Sequence, residues 1–234
     1  MPDLTFTSLA SSSAGNAYVV SDGETTLLLE CGLSARELCK RLGGLSAITA
    51  CLVSHDHQDH AHAAKQLLKR GVPVYMSYGT ACRHKDAMDA ATLISAGQEI
   101  AFGALRVKAF STFHNTLEPL GFVIWDTRTE ERLLFAVDTA NLAVRVAGLT
   151  HIAIECNYQD ELLGASYTPE LLRARIRRSH FEAGAVLRYL YTLDLSRCEQ
   201  IYLLHLSNAH TCAEELLERF SQAFPGIEIT ICKA

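Results

Sequence analysis

The sequence predicts an α/β (α+β) chain built as a four-layer αββα sandwich, two mixed sheets face to face with helices outside. Short apolar or alternating runs bounded by turn residues recur in both halves of the chain. Helical stretches with recognisable starts follow the strands in each half. No low-complexity linker or long repeat interrupts the 234 residues, so a single domain over 1–234 is expected.

In the first third, residues 4–9, 17–21 and 25–30 read as short strands. Their separators are Ser11-Ser12-Ser13-Ala14-Gly15-Asn16 and Asp22-Gly23. Both are turn chemistry, because glycine tolerates positive φ and Asn or Asp bonds its own backbone. Ser34 caps a helix expected to reach Leu42. An apolar strand at 48–53 precedes a histidine-rich hexamer, a helix at 61–70 and a strand at 72–76. The middle is strand-rich, with runs at 99–102, 105–110, 121–125, 132–137 and 151–155. Thr168-Pro169-Glu170 opens a helix with a cap and then proline in the first turn. A second helix is expected over 180–193, then a strand at 200–204, a helix at 211–224 and a closing strand at 227–231.

Apolar residues make up 49% of the chain and charged residues 20%, ample material for a core. The net charge of −5 argues against a generic polyanion-binding surface. Local basic candidates remain at Lys69-Arg70, Arg83-His84-Lys85 and Arg173-x-Arg175-x-Arg177-Arg178. The eight cysteines form no C-x-x-C pair and several sit in apolar runs, the pattern of reduced thiols in a cytoplasmic protein. Met1-Pro2-Asp3-Leu4 carries no basic-then-apolar leader, and no apolar run approaches the ~18 residues of a membrane span. A cytoplasmic protein without a membrane partner is expected, with a homodimer left open.

The hexamer His55-Asp56-His57-Gln58-Asp59-His60 carries the chemistry. Imidazole and carboxylate are the ligands that borderline divalent metals prefer, at about 2.0–2.2 Å. Residues two apart in extended chain share a side, so His55 and His57 can grip one ion. A turn beyond them aims Asp59 and His60 at a second position. Two ions need more donors, and His114, Asp138 and His205 each terminate an apolar strand-like run. A lone strand-end histidine is usually just hydrogen-bonded, but three such residues beside this hexamer point to a metal centre.

The order His-x-His-x-Asp-His, then separate His, Asp and His at strand ends, resembles the metallo-β-lactamase fold superfamily over nearly the whole chain. That resemblance implies one ion on His55, His57 and His114, a second on Asp59, His60 and His205, and Asp138 bridging both. Ser11-Ser12-Ser13-Ala14-Gly15-Asn16, Cys31-Gly32-Leu33-Ser34, Glu118-Pro119-Leu120-Gly121-Phe122, Glu155-Cys156-Asn157 and His205-Leu206-Ser207-Asn208 are similar to the YycJ (WalJ)-like branch and its phage relatives. That branch is related to ribonuclease Z and PhnP, and its members are described as exonucleases. The resemblance further implies a Glu155–His180 pair that assists proton transfer to the leaving oxygen, although the wording around His180 is degenerate. Two departures stand out: Glu30 where the family usually has Asp, and His62-Ala63 where a Gly soon follows the hexamer. His62 is expected to be exposed or to support the ligands, and His84, His151 and His210 carry no motif. Neither a ribonuclease-J-type second domain nor the long transfer-RNA arm of ribonuclease Z is evident.

The ligand set implies two divalent ions, zinc first and manganese second, roughly 3.5–4 Å apart with a bridging hydroxide as nucleophile. In-line attack at phosphorus expels an alkoxide that needs a proton, and His180 oriented by Glu155 is placed to give it. The expected activity is phosphodiester hydrolysis, with Asp59, Glu155 and His180 in catalytic roles and a DNA or RNA strand as leading substrate. The alternatives are hydrolysis of a small phosphodiester such as a cyclic nucleotide, and thioester, lactone or β-lactam hydrolysis. A scaffold that merely retains zinc is a third.

Overall fold

The computed structural model describes residues 3–233, so Met1 and Pro2 of the chain start read above lie outside it. The first sheet comprises β1 (Thr5–Ser12), β2 (Gly15–Ser21), β3 (Thr26–Leu29), β4 (Ala50–Leu52), β5 (Val74–Met76) and β6 (Thr92–Leu93). Between its strands lie α1 (Ala35–Arg41), α2 (Gln58–Ala61), α3 (Ala64–Lys69), α4 (Tyr78–Arg83) and α5 (Lys85–Met88). The second sheet comprises β7 (Glu99–Phe102), β8 (Leu105–Ser111), β9 (Leu120–Asp126), β10 (Arg132–Ala136), β11 (His151–Glu155), β12 (Gln200–Leu204) and β13 (Glu228–Ile231). Its helices are α6 (Asp160–Ala165), α7 (Glu170–Ser179), α8 (Ala183–Leu190) and α9 (Ala213–Ala223).

Both sheets follow chain order, each strand pairing with its sequence neighbour. Each begins as an antiparallel meander (β1–β3, β7–β10) and continues as parallel strands (β3–β6, β10–β13). Parallel neighbours need a crossover, which explains why most of the helices fall in the second part of each half. The mixed character expected of both sheets is therefore present, and its origin is local.

Alternation along the strands builds the layers. In β3, Leu27 and Leu29 face the other sheet while Leu28 faces outward. Phe6, Tyr18, Leu27, Leu29 and Leu52 meet Leu105, Val107, Phe122, Phe135 and Leu204 between the sheets. The Tyr18 and Phe135 rings touch edge to face at 5.4 Å between centroids. Outside the first sheet, Leu28, Cys51 and Val74 pack on Leu38 and Leu67; outside the second, Ile152, Ile154 and Leu203 pack on Val186, Leu190 and Phe220. That is the four-layer αββα sandwich. Arg128 ties the sheets at one edge, 2.8 Å from Asp22 and 2.9 Å from Asp126, both carboxylates fully buried.

Several boundaries differ from the sequence reading. The helix expected at 61–70 is two pieces: α2 starts inside the hexamer at Gln58, and the chain breaks at His62-Ala63 before α3. The helix expected at 180–193 is the shorter α8, because Glu182 caps it by accepting from Gly184 N and Ala185 N, each at 2.7 Å. His180 consequently stays in extended backbone (φ −131°, ψ 157°). Pro169 occupies the cap position of α7 itself. The short α4, α5 and α6 were not anticipated; α4 contains Gly79 and owes its start to Ser77, whose side chain accepts from Thr80 N.

Candidate metal centre

The parallel strands of both sheets deliver their carboxyl ends to one edge, where α/β proteins gather ligand sites. Glu30 follows β3, Ser54 and His55 follow β4, Asp138 follows β10, Glu155 ends β11, and His205 follows β12. Glu30, Asp138 and His205 adopt left-handed backbone, with φ of 65°, 46° and 52°. Such conformations cost roughly 1 kcal/mol or more for a residue with a Cβ, and they gather where side chains must be aimed.

One group comprises His55, His57, His114 and Asp138. His57 Nδ1 lies 3.1 Å from His55 Nε2 and 3.3 Å from His114 Nε2. Each outer ring is held by its far nitrogen: His55 Nδ1 by Ser54 Oγ at 2.8 Å, and His114 Nδ1 by donation to Ser179 O at 2.7 Å. Such bonds fix which nitrogen remains free. Burial pushes His55, His57 and His114 down in pKa, so all three are neutral, the form that ligates.

A second group comprises Asp59, His60 and His205. Asp59 and His60 arise from the single turn of α2, which His57 begins. His60 donates from Nδ1 to Glu30 Oε2 at 3.2 Å, and Ser54 N donates to Glu30 Oε1 at 3.1 Å. The carboxylate of Glu30, where an Asp was expected, thus orders this loop. Burial alone would depress His60, yet Asp138, Asp59 and Glu30 push it up to about 10. Burial is likewise outweighed at His205, which is raised by Asp138, Asp59 and Glu155. Asp59 and Asp138 are held below the carboxylate range by these imidazoles, against the effect of their own burial.

Asp138 sits between the groups. Its Oδ2 is 3.7 Å from His55 Nε2, 3.6 Å from His60 Nε2 and 3.5 Å from His114 Nε2. The donor set fits divalent cations: imidazole nitrogens converge on one another, and buried His205 Nε2 has no hydrogen-bond partner among the described residues. Leaving such an atom unsatisfied costs about 1–3 kcal/mol, a cost that ligation would remove. A cation at the second group would replace the positive charge that His60 and His205 carry as imidazolium.

Glu155 and His180 lie against this cluster. His180 Nδ1 is 2.6 Å from Glu155 Oε1, and His205 Nδ1 is 3.2 Å from the same oxygen. Glu155 Oε2 accepts from Thr139 N at 2.7 Å and Phe181 N at 3.1 Å. His57, Asp59, Asp138, His180 and His205 all line one cavity of about 670 Å³, with Arg175 of α7 at its wall.

All nine nominated residues therefore meet at one edge. The remaining histidines do not join them: His62 is exposed, His84 contacts Asp56 O, His151 contacts Thr150, and His210 bridges Thr168 and Ser207. The sequence reading assigned no role to Asn16, Tyr18 and Ser11. Asn16 Nδ2 lies 3.1 Å from His60 Nε2 and 3.4 Å from Asp59 Oδ2. Tyr18 donates to Asn16 Oδ1 at 2.9 Å, and Ser11 Oγ accepts from His205 N at 2.8 Å. The Ser11–Asn16 motif was visible in the sequence, but nothing in it reveals that a turn between two strands reaches ligands 44 and 194 positions away.

Comparison with known proteins agrees with this geometry. A family model described as a beta-lactamase superfamily domain matches residues 25–206. The chain is 24% identical to exodeoxyribonuclease WalJ of Streptococcus pneumoniae, over 94% of this chain and 90% of that protein. It is 28% identical to exodeoxyribonuclease YycJ of Bacillus anthracis, over 87% and 83%. Among solved structures, the metallo-β-lactamase fold protein YhfI of Bacillus subtilis superposes with a TM-score of 0.74 at 17% identity, covering 98% of this chain and 96% of that one. By fold, site geometry and family match together, the chain belongs to the β-lactamase superfamily, with the metallo-β-lactamase fold.

Proposed function

We propose that the protein is a binuclear metal-dependent phosphodiesterase acting on nucleic acid, in the manner its exodeoxyribonuclease relatives' names describe. His55, His57 and His114 would hold one ion and Asp59, His60 and His205 the other, with Asp138 placed between the two groups. The nitrogen and oxygen donors suit zinc first and manganese second. When bound, such an ion pair supplies an activated water and polarises the phosphoryl oxygen. The shared inner core of the two sheets supports one metallohydrolase domain over 1–234, and the free cysteines support a reducing, cytoplasmic setting.

The observation that carries the reading is the 2.6 Å contact between His180 and Glu155 beside the ligand cluster. Burial would lower His180, but the Glu155 charge and hydrogen bond outweigh it and raise its pKa, which favours the protonated ring. With Nδ1 engaged by Glu155, Nε2 is the nitrogen left to protonate a departing oxygen. An alkoxide needs that help, whereas a thiolate does not, which favours phosphodiesters over thioesters. A small phosphodiester is the second reading, since a cavity of about 670 Å³ takes a single nucleotide.

The test is a panel of single- and double-stranded DNA, RNA, cyclic nucleotides, bis-p-nitrophenyl phosphate, a thioester and a lactone, with zinc or manganese. We expect polynucleotide cleavage. His180→Ala should retain its metal, slow DNA cleavage by about 10²–10⁴ and spare the p-nitrophenyl ester, whose leaving group needs little proton. Thioester or lactone turnover with no phosphodiester touched contradicts the reading, as does His180→Ala cleaving DNA at the parent rate.

A further inference from the structure

Three depressions on the surface share walls. The metal cavity shares Ser13, Gln58 and Asp59 with a second of about 490 Å³ bordered by Gly32, Ser34 and His62. The second shares Gln58 and His62 with a third of about 400 Å³, lined by Lys65, Arg83 and Lys85. Gln58 borders all three, so they form one groove from the candidate metals to a basic end. His62, at the departure from the family pattern, walls the middle of it.

The far end of this groove is charged unlike the chain, whereas its middle is walled by Asp59 and by Glu37, which pairs with Arg41. Against a net charge of −5, its far end gathers three cations and one carboxylate, Asp86. Asp86 sits 2.5 Å from Lys65 Nζ, but both side chains are well exposed. Arg83, three-quarters exposed, lies 3.8 Å from Asp56, and Lys85 has no ion pair among the described residues. Exposed pairs of this kind are worth about 1 kcal/mol at most, so exchanging them for a phosphate costs little. Arg173 and Arg177 of α7 pair with Glu170 and Asp160 in the same exposed way, but neither lines the groove. Of that basic run, Arg175 is the arginine that lines the metal cavity.

We propose that a single polynucleotide strand lies along this groove, its scissile phosphate at the metal centre and its following phosphates carried past Gln58 and His62 to Lys65, Arg83 and Lys85. This deepens, and rests on, the phosphodiesterase reading, and it selects a polynucleotide over a small diester. A cyclic nucleotide would fill the metal cavity and leave the basic end without use. A strand uses both, because its backbone repeats the same anion at each step.

The test uses the metal-loaded protein, Lys65→Gln/Lys85→Gln and, as a second variant, the reversal Lys85→Glu. Binding of a fluorescent single-stranded phosphorothioate oligonucleotide is followed by anisotropy over a salt series, and bis-p-nitrophenyl phosphate turnover is measured on the same preparations. The double variant should bind the oligonucleotide about tenfold or more weakly, with a log–log salt slope shallower by about 1.4, at 0.7 per lost phosphate contact on a single strand. Lys85→Glu alone should also weaken binding, and both variants should turn over the small ester at the parent rate. Unchanged affinity and slope would overturn the groove, as would small-ester turnover falling in step with oligonucleotide binding. A parent that binds the strand with this lysine-dependent slope but hydrolyses no phosphodiester upholds the groove and removes the activity reading instead.

Discussion

Glu155 shows how one buried side chain can serve two tasks. Its Oε1 faces both His180 and His205, and its Oε2 is saturated by two backbone donors, so the carboxylate cannot rotate without losing bonds. Burial would raise its pKa, but the His180 charge and the hydrogen bonds of His180 and His205 together outweigh that and keep it ionised. His180 is raised in return, so it retains a transferable proton below its shifted pKa and loses it as pH rises through that value. Glu155→Gln removes the negative charge but keeps the shape. The alkaline limb of kcat/KM for DNA should therefore move to lower pH, with kcat down about tenfold or more. A pH–rate profile superposable on the parent's would show that His180 does not act as the acid.

At the scale of elements, the loop after β3 and the single turn of α2 are fitted backbone to backbone. Cys31 N donates to His60 O at 2.7 Å, and Ala63 N donates to Cys31 O at 2.9 Å. A Cβ on Gly32 would lie 1.6 Å from Asp59 O, closer than any contact can be, so only glycine lets this loop approach the ligand-bearing turn. Gly32→Ala should push α2 away and misplace Asp59 and His60 together. Thermal unfolding with and without zinc checks this. We expect a loss of about 2 kcal/mol or more in the metal-free protein and a smaller zinc-induced gain than in the parent. A variant that gains as much from zinc as the parent would contradict the coupling.

Across the molecule, two half-chains each lay down a sheet in order, and the carboxyl edges of both sheets meet at the candidate metal centre. Much of this was legible. Strands such as β11 and β12 announce themselves by apolar runs, and the candidate ligands stand at strand ends because a polar group cannot be buried there without a partner. What escaped was set by tertiary contact. The break at His62-Ala63 follows from the fit of Ala63 against Cys31, and the late start of α8 follows from the Glu182 cap. Asn16, 3.1 Å from His60, is brought to the centre by strand pairing that no local pattern encodes. The Ser11–Tyr18–Asn16 network is likewise long-range, joining a buried phenol to both His60 and His205.

We expect His55, His57 and His114 to hold one divalent ion and Asp59, His60 and His205 a second, with Asp138 between them. Equilibrium dialysis against zinc followed by elemental analysis counts the bound ions. The parent should carry two ions per chain, and Asp138→Ala should lose both the metal and phosphodiester turnover while remaining folded by circular dichroism. A parent that saturates at a single ion, or an Asp138→Ala protein that keeps two ions and its turnover, would rule out a two-ion centre built around Asp138.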